Sequence, residues 1–232
     1  MSAGLERLIA RSYAAAYDRV VEGFAPYEAL RAEVAGYVQR SAPAGAAVID
    51  VACGIGNVCF HLGKLGYTVR GFDQVGTLVD AARAKHRTAA GASDVSFEAL
   101  DVARAEVPGA GTFDVLVSMN TLYWHPDPAG LLRACRAALR PAGHAVIVTY
   151  ARRARVLRTV REVAAQQGWP AGLAALRWLV PTATFELLRD FQPRYPGLGA
   201  LRAMIEAAGF EILDERDTFL AGLCRLVWAR AQ

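Results

Sequence analysis

Three carboxylates and a pair of glycines are the residues of this chain whose types and spacing are suited to chemistry together. Asp50 stands inside the apolar run "VIDVA", Gly54 and Gly56 follow in "CGIGN", Asp73 closes "VRGFD" 23 residues later, and Asp101 closes "FEALD". Glycines directly after a strand let a ligand approach the backbone, and a helix beginning near Asn57 offers unpaired amides. A dinucleotide fingerprint asks for a third glycine where this chain has Cys59. A small residue sometimes serves there, so a nicotinamide dinucleotide stays open on that ground alone. Asp50 carries more information, because a carboxylate two residues before the strand end, facing the turn, repels a pyrophosphate and suits a ligand with positive charge. Asp73 stands where a carboxylate accepts both hydroxyls of a ribose. Asp101 stands where it accepts from an exocyclic adenine amine while the Val102 amide donates to the ring. The expected ligand is cationic and nucleoside-like.

The elements that must position these groups follow from the rhythm of the chain. From Ala47 onward the apolar runs AVIDVA, YTVRGF, VSFEAL, FDVLVSM and HAVIVTY alternate with helical segments. Strands separated by helices pair in parallel through crossover connections, and runs such as FDVLVSM, apolar on both faces, are covered from both sides. The expected fold is an open α/β sheet, whose ligands sit outside the carboxyl ends of the strands. "LRPAGH" (139–144) reads as a helix end turning sharply into the next strand. Upstream, Leu5, Leu8, Ile9, Tyr13, Tyr17 and Val20 recur at helical spacing, and "FAPYEALRAEVAGYVQ" (24–39) predicts a second helix. After Tyr150 the strand rhythm stops for about fifty residues, too long and too apolar a stretch for a passive loop, so a helical insertion or lid is expected there. The tail predicts a helix, then strands over 211–217 and 223–229 forming a closing antiparallel hairpin.

Taken in order, "VIDVACGIGN", "VRGFDQ", "ALDV", "FDVLVSMNTLYWHPDP" and "LLRACRAALRPAGHAVIV" resemble the successive motifs of class I S-adenosylmethionine-dependent methyltransferases. The likeness is to the small-molecule branch that includes quinone-biosynthesis and natural-product enzymes, and it spans 47–150 plus the C-terminal hairpin. It implies a Rossmann-like open sheet of seven strands, mostly parallel with an antiparallel C-terminal hairpin, and S-adenosyl-L-methionine as cofactor with S-adenosyl-L-homocysteine as product. It implies that Asp50 and the backbone of Ala52, Cys53, Gly54 and Gly56 lie along the methionine part. Asp73 and Gln74 would hold the ribose, Asp101 and Val102 the adenine, and Met119 and Asn120 would border the sulfonium. Ala52 takes the place of the family's first glycine, a methyl-sized departure. By the same likeness residues 1–45 are N-terminal helices covering the active site, 46–150 with 197–232 the cofactor-binding core, and 151–196 a helical insertion binding the acceptor.

The sulfonium is already electrophilic, so such an enzyme needs alignment more than a covalent intermediate. His125 in "YWHPDP", just past the fourth strand, is the candidate general base for a hydroxyl acceptor. Tyr123 and Trp124 are candidate acceptor-pocket walls. Tyr13 and Tyr17 share a helix face, either as core stripe or as a cover, with Tyr17 toward the cofactor and Tyr13 toward the acceptor. The acceptor is expected to be a medium-sized, partly apolar metabolite taking the methyl group on oxygen, nitrogen or carbon.

Composition bounds the rest. The chain is 54% hydrophobic and 21% charged with a net charge of +4, and its acids and bases alternate rather than segregate. The arginine run "ARRARVLRTVRE" (151–162) reads as a solvated helix face, so neither a nucleic-acid nor a membrane partner is expected, and the protein is a monomer or homodimer. Four cysteines at spacings matching neither zinc nor a redox pair predict no metal and a reduced, cytoplasmic, unprocessed protein. Two further readings stay open: a nicotinamide-dependent oxidoreductase, and a protein that binds the sulfonium cofactor without transferring its methyl group.

Overall fold

The computed structural model describes residues 17–88, 94–188 and 195–232. The apolar runs become seven strands: β1 (Ala47–Val51), β2 (Thr68–Asp73), β3 (Val95–Ala99), β4 (Phe113–Met119), β5 (Leu139–Tyr150), β6 (Phe210–Thr218) and β7 (Cys224–Ala231). They form one sheet in the order β3-β2-β1-β4-β5-β7-β6. The first five run parallel, and β7 is antiparallel to both β5 and β6. Strand order reverses between β1 and β4, the point where the connections diverge and a crevice opens at the carboxyl edge.

Helices α1 (Ala25–Ser41), α2 (Asn57–Lys64), α3 (Gly76–Thr88), α4 (Pro128–Ala138) and α8 (Leu198–Ala207) flank the sheet. Two apolar cores result, one on each face. The first joins α1, α2 and α3 to Val48, Val69, Val115 and Val146, and the second joins α4 and α8 to Ile49, Leu116, Ile147 and Val227. Alternate residues of one strand thus enter opposite cores, which is why these strands read as continuous apolar runs. α1 opens with Pro26 in its first turn, where a missing amide costs nothing. The expected first helix lies mostly outside the described residues, which include only its end at 17–21.

The stretch after Tyr150 is helical as expected, with α5 (Val156–Gln167), α6 (Trp169–Ala174) and α7 (Leu176–Leu188). "LRPAGH" differs from expectation. Leu139 already pairs with Phe113, and the next pair is Val115 with His144, so residues 140–143 form a bulge inside β5 rather than a turn before it. Ala142 takes φ 58° there, and a Cβ on Gly143 would sit 3.1 Å from the carbonyl oxygens of Arg140 and Asp114. Among the described residues no helix is long and apolar enough to cross a membrane, and no group of three His, Cys, Asp or Glu is placed to hold a metal.

Candidate active site

β1 delivers the chain into the glycine turn, which is held by its neighbour strand. The Cys53 amide donates to the Phe72 carbonyl at 3.0 Å. Asp73, at the end of β2, accepts the Gly54 amide on Oδ2 at 2.9 Å and the Val75 amide on Oδ1 at 2.8 Å. Asp73 is therefore both the ribose candidate and the clasp of the turn, so its removal unseats Gly54 as well.

The two glycines do different work. A Cβ on Gly54 would meet nothing within 4 Å, whereas one on Gly56 would lie 2.6 Å from the Phe97 ring. Only Gly54 leaves an open face for a ligand; Gly56 makes room for a side chain from β3. Ala52 sits at φ 61°, a left-handed conformation that L-residues resist, so the alanine in the first glycine position is strained.

Asp50 is 2% exposed. Burial pushes its carboxyl up to about 7, the Cys59 thiol donating at 3.1 Å opposes this, and the charge of Asp73 adds to it. Burial lifts the Cys59 thiol well above its usual range, so it stays a donor. A buried acid poised this way binds a proton until a cation arrives beside it.

Past Asp73 a narrow slot of ≈ 30 Å³ runs along the carboxyl ends of β1, β2 and β3. Phe72, Leu100, Val102 and Leu131 supply its apolar walls, and Asp73, Gln74 and Asp101 its acceptors. Asp101 accepts the Ala103 amide at 3.1 Å and faces Arg104 at 3.5 Å, which leaves it 26% exposed along its side chain toward the slot rim. Thr121, Trp124 and His125 close the slot from the loop after β4. The Trp124 indole donates to the Asn120 carbonyl at 2.8 Å, and His125 Nδ1 accepts the Asp127 amide at 3.2 Å. His125 is thus gathered with Asp101 and Val102 in the slot.

At the other end Met119 and Asn120 finish β4. Asn120 takes φ 55° and its side-chain oxygen accepts from the Cys224 thiol at 3.6 Å, which aims it at β7. Tyr123 is buried against Tyr150 and Tyr195, with ring centroids 4.7 and 6.0 Å away. Tyr17 packs edge-on between Tyr27 and Trp178, so the N-terminal segment does meet the insertion. Tyr13 lies outside the described residues.

Sequence reasoning missed a group on the facing helices α1 and α2. Tyr27 and Arg31 are one turn apart on α1, and Asn57 and His61 one turn apart on α2. The Arg31 guanidinium lies 5.3 Å from the Tyr27 ring centroid, and its charge adds to burial in lowering His61. Arg31 Nε and Asn57 Nδ2 are buried donors with no hydrogen-bond partner, while Asn57 Oδ1 accepts from Lys85, which also holds Asp18 at 2.8 Å. Two unpaired donors beside the glycine turn are a cradle for an anion. The i,i+4 spacing was visible in the sequence; the facing of the two helices was not.

Comparison with known proteins decides the family. The family described as "Methyltransferase domain" matches residues 23–215. The chain belongs to that family. The methyltransferase is 34% identical over 120 residues to the ubiquinone biosynthesis O-methyltransferase of Ralstonia nicotianae, covering 51% of this chain and 50% of that protein. It is 36% identical over 110 residues to the enzyme of the same name from Xanthomonas axonopodis pv. citri, covering 47% and 45%. The chain thus spans about half the length of the curated relatives it matches. Its fold matches the magnesium protoporphyrin IX methyltransferase of Synechocystis solved with bound SAH, with a TM-score of 0.64, 16% identity and coverage of 93% and 87%. It also matches the [4+2]-cyclase SpnF with a TM-score of 0.66, 17% identity and coverage of 97% and 95%.

Proposed function

We propose that this methyltransferase moves a methyl group from S-adenosyl-L-methionine to a small, partly apolar acceptor, with an oxygen acceptor favoured by the relatives' printed activity. The observation that carries this is the charge pattern around the glycine turn. An open face at Gly54 has acids Asp50 and Asp73 on its β-strand side and the unpartnered donors of Arg31 and Asn57 on its helix side. That pattern fits an amino acid zwitterion joined to a nucleoside and would repel a dinucleotide pyrophosphate.

When bound, the cofactor supplies an electrophilic methyl carbon. Arg31 and Asn57 would hold its carboxylate, Asp50 its positive charge, Asp73 with Gln74 its ribose, and Asp101 with Val102 its adenine between the apolar walls of the slot. The slot has the volume of about one water, so the loop carrying Trp124 and His125 would have to move outward to admit a purine. Met119 and the Tyr17, Tyr27 and Trp178 aromatics exclude water around the transfer, and alignment of this kind supplies up to about 7–11 kcal/mol. His125 sets the loop over the purine rather than acting as base at the acceptor. We further assign 1–45 to the cover, 46–150 and 197–232 to the cofactor core, and 151–196 to the acceptor insertion. Four free cysteines support a cytoplasmic protein.

Calorimetric titration with S-adenosylmethionine, S-adenosylhomocysteine and NADH tests the reading. Binding of the first two alone, followed by a one-methylene mass gain on an acceptor, is the expected outcome. Binding of NADH alone overturns it.

A further inference from the structure

The insertion concentrates charge and exposed apolar surface on the same helices. Between 151 and 184 stand six arginines and a single acid, Glu162. Glu162 is committed to Arg152 at 2.6 Å and Arg158 at 2.8 Å, and neither Arg155 nor Arg161 forms an ion pair among the described residues. Among the described residues the four most exposed large apolar side chains lie in this same stretch: Leu157 at 75%, Trp169 at 62%, Leu173 at 57% and Val180 at 49%. Read from the sequence alone, the arginine run was a solvated helix face; the structure sets Leu157 among the arginines and Trp169 and Leu173 on the helix packed beside them.

The packing is close. A Cβ on Gly172 would fall 2.8 Å from both the Ala164 Cβ and the Val160 carbonyl oxygen, so α6 lies directly on α5. Trp169 and Leu173, one turn apart, are held on that plate, while Thr159, Val160 and Val163 on its other side are buried. A surface with unpaired guanidinium groups and protruding Leu and Trp side chains is matched by an anionic bilayer, whose phosphates meet the arginines and whose acyl boundary takes the apolar groups. A nucleic acid would leave Leu157 and Leu173 without a partner. A second copy docked through the same face would set its arginines against their equivalents.

We propose that the α5–α6 plate docks this protein peripherally on an anionic lipid surface. The inference goes beyond methyl transfer and stands or fails without it. The test is co-sedimentation of the full chain with vesicles of phosphatidylglycerol and phosphatidylcholine, against vesicles of phosphatidylcholine alone and a DNA duplex. The expected results are a preference for the anionic vesicles of about tenfold or more, a loss of about tenfold or more in Arg155→Glu/Arg161→Glu, and a comparable loss in Leu157→Ala/Trp169→Ala/Leu173→Ala. Homocysteine-cofactor affinity and unfolding midpoint, measured on the same preparations, stay at the unsubstituted values because these residues lie outside the cofactor site. Equal binding to both vesicles, unchanged binding by the charge-reversed variant, tighter binding to the duplex, or dimerisation abolished by the apolar substitutions would each overturn the proposal.

Discussion

Around the glycine turn, polar groups are fixed by backbone: the Gly54 and Val75 amides clasp Asp73, the Ala103 amide clasps Asp101, and the Asp127 amide clasps His125. Across the sheet, between β5 and the insertion, fixation comes from rings. Trp178 stacks on Phe24 and Tyr27, meets Tyr17 and Phe219 edge-on, and donates to the Tyr150 hydroxyl at 2.8 Å. Backbone clasps hold a geometry that does not depend on neighbouring side-chain volume, which suits a ligand of fixed shape. Ring packing can be re-cut by substitution, which suits an acceptor that differs between relatives.

The sharpest way to break this comparison is Trp178→Ala. Removing a ring that joins the N-terminal segment, α1 and the insertion should cost about 3–5 kcal/mol in denaturant unfolding; a cost below about 1 kcal/mol would mean the aromatic side is not a packed unit. Next comes the pair Gly56→Ala and Gly54→Ala. Both add left-handed strain of about 1–2 kcal/mol, but only the first drives a methyl group into Phe97, adding about 1–3 kcal/mol. Gly56→Ala should therefore lose mainly stability and Gly54→Ala mainly homocysteine-cofactor affinity, read by thermal unfolding and calorimetry.

Asp50→Asn separates charge from shape. Because the folded carboxyl is raised from 3.8 to about 7, its contribution is fully present below the unfolded value and lost as pH rises through about 7. The stability of the Asn variant relative to the unsubstituted protein should grow from pH 4 to about 7 and then level off, by on the order of a few kcal/mol. A flat difference in urea midpoints across that range would show that Asp50 is already ionised in the fold. The smallest effect is a gain: Ala52→Gly relieves φ 61° and should stabilise by about 0.5–1 kcal/mol after the added chain entropy of glycine.

Much of the fold was legible because a strand covered on both faces is apolar nearly throughout, as β1, β4 and the second half of β5 are, whereas β6, with its exposed charged positions, was legible only as part of a hairpin. Asp73 and Asp101 stood out because they close such runs, and Asp50 because it interrupts one. What stayed hidden depends on approach between distant segments. Nothing near Gly56 in the sequence names Phe97 as the reason for its missing side chain, and nothing near Arg31 says that α1 lies against α2. His125 was correctly placed after β4, but only the slot it shares with Asp101 and Val102 shows which end of the crevice it faces. The bulge at 140–143 was hidden because the same Pro-Ala-Gly chemistry makes a turn or a bulge, and pairing of Leu139 with Phe113 decides between them.

The strand order carries a consequence for how the molecule is made. β6 precedes β7 along the chain yet reaches the sheet only through it, and Phe24 and Trp228 find Phe219 and Ser41 across nearly the whole sequence. During folding the earlier strands can collapse while β6 waits with both edges bare and the first helices lack the aromatic and strand partners that cover them. Such distant pairings slow folding and expose sticky edges. The stage before β7 takes its place is therefore when this chain is most open to aggregation, and when a chaperone would find the most to hold.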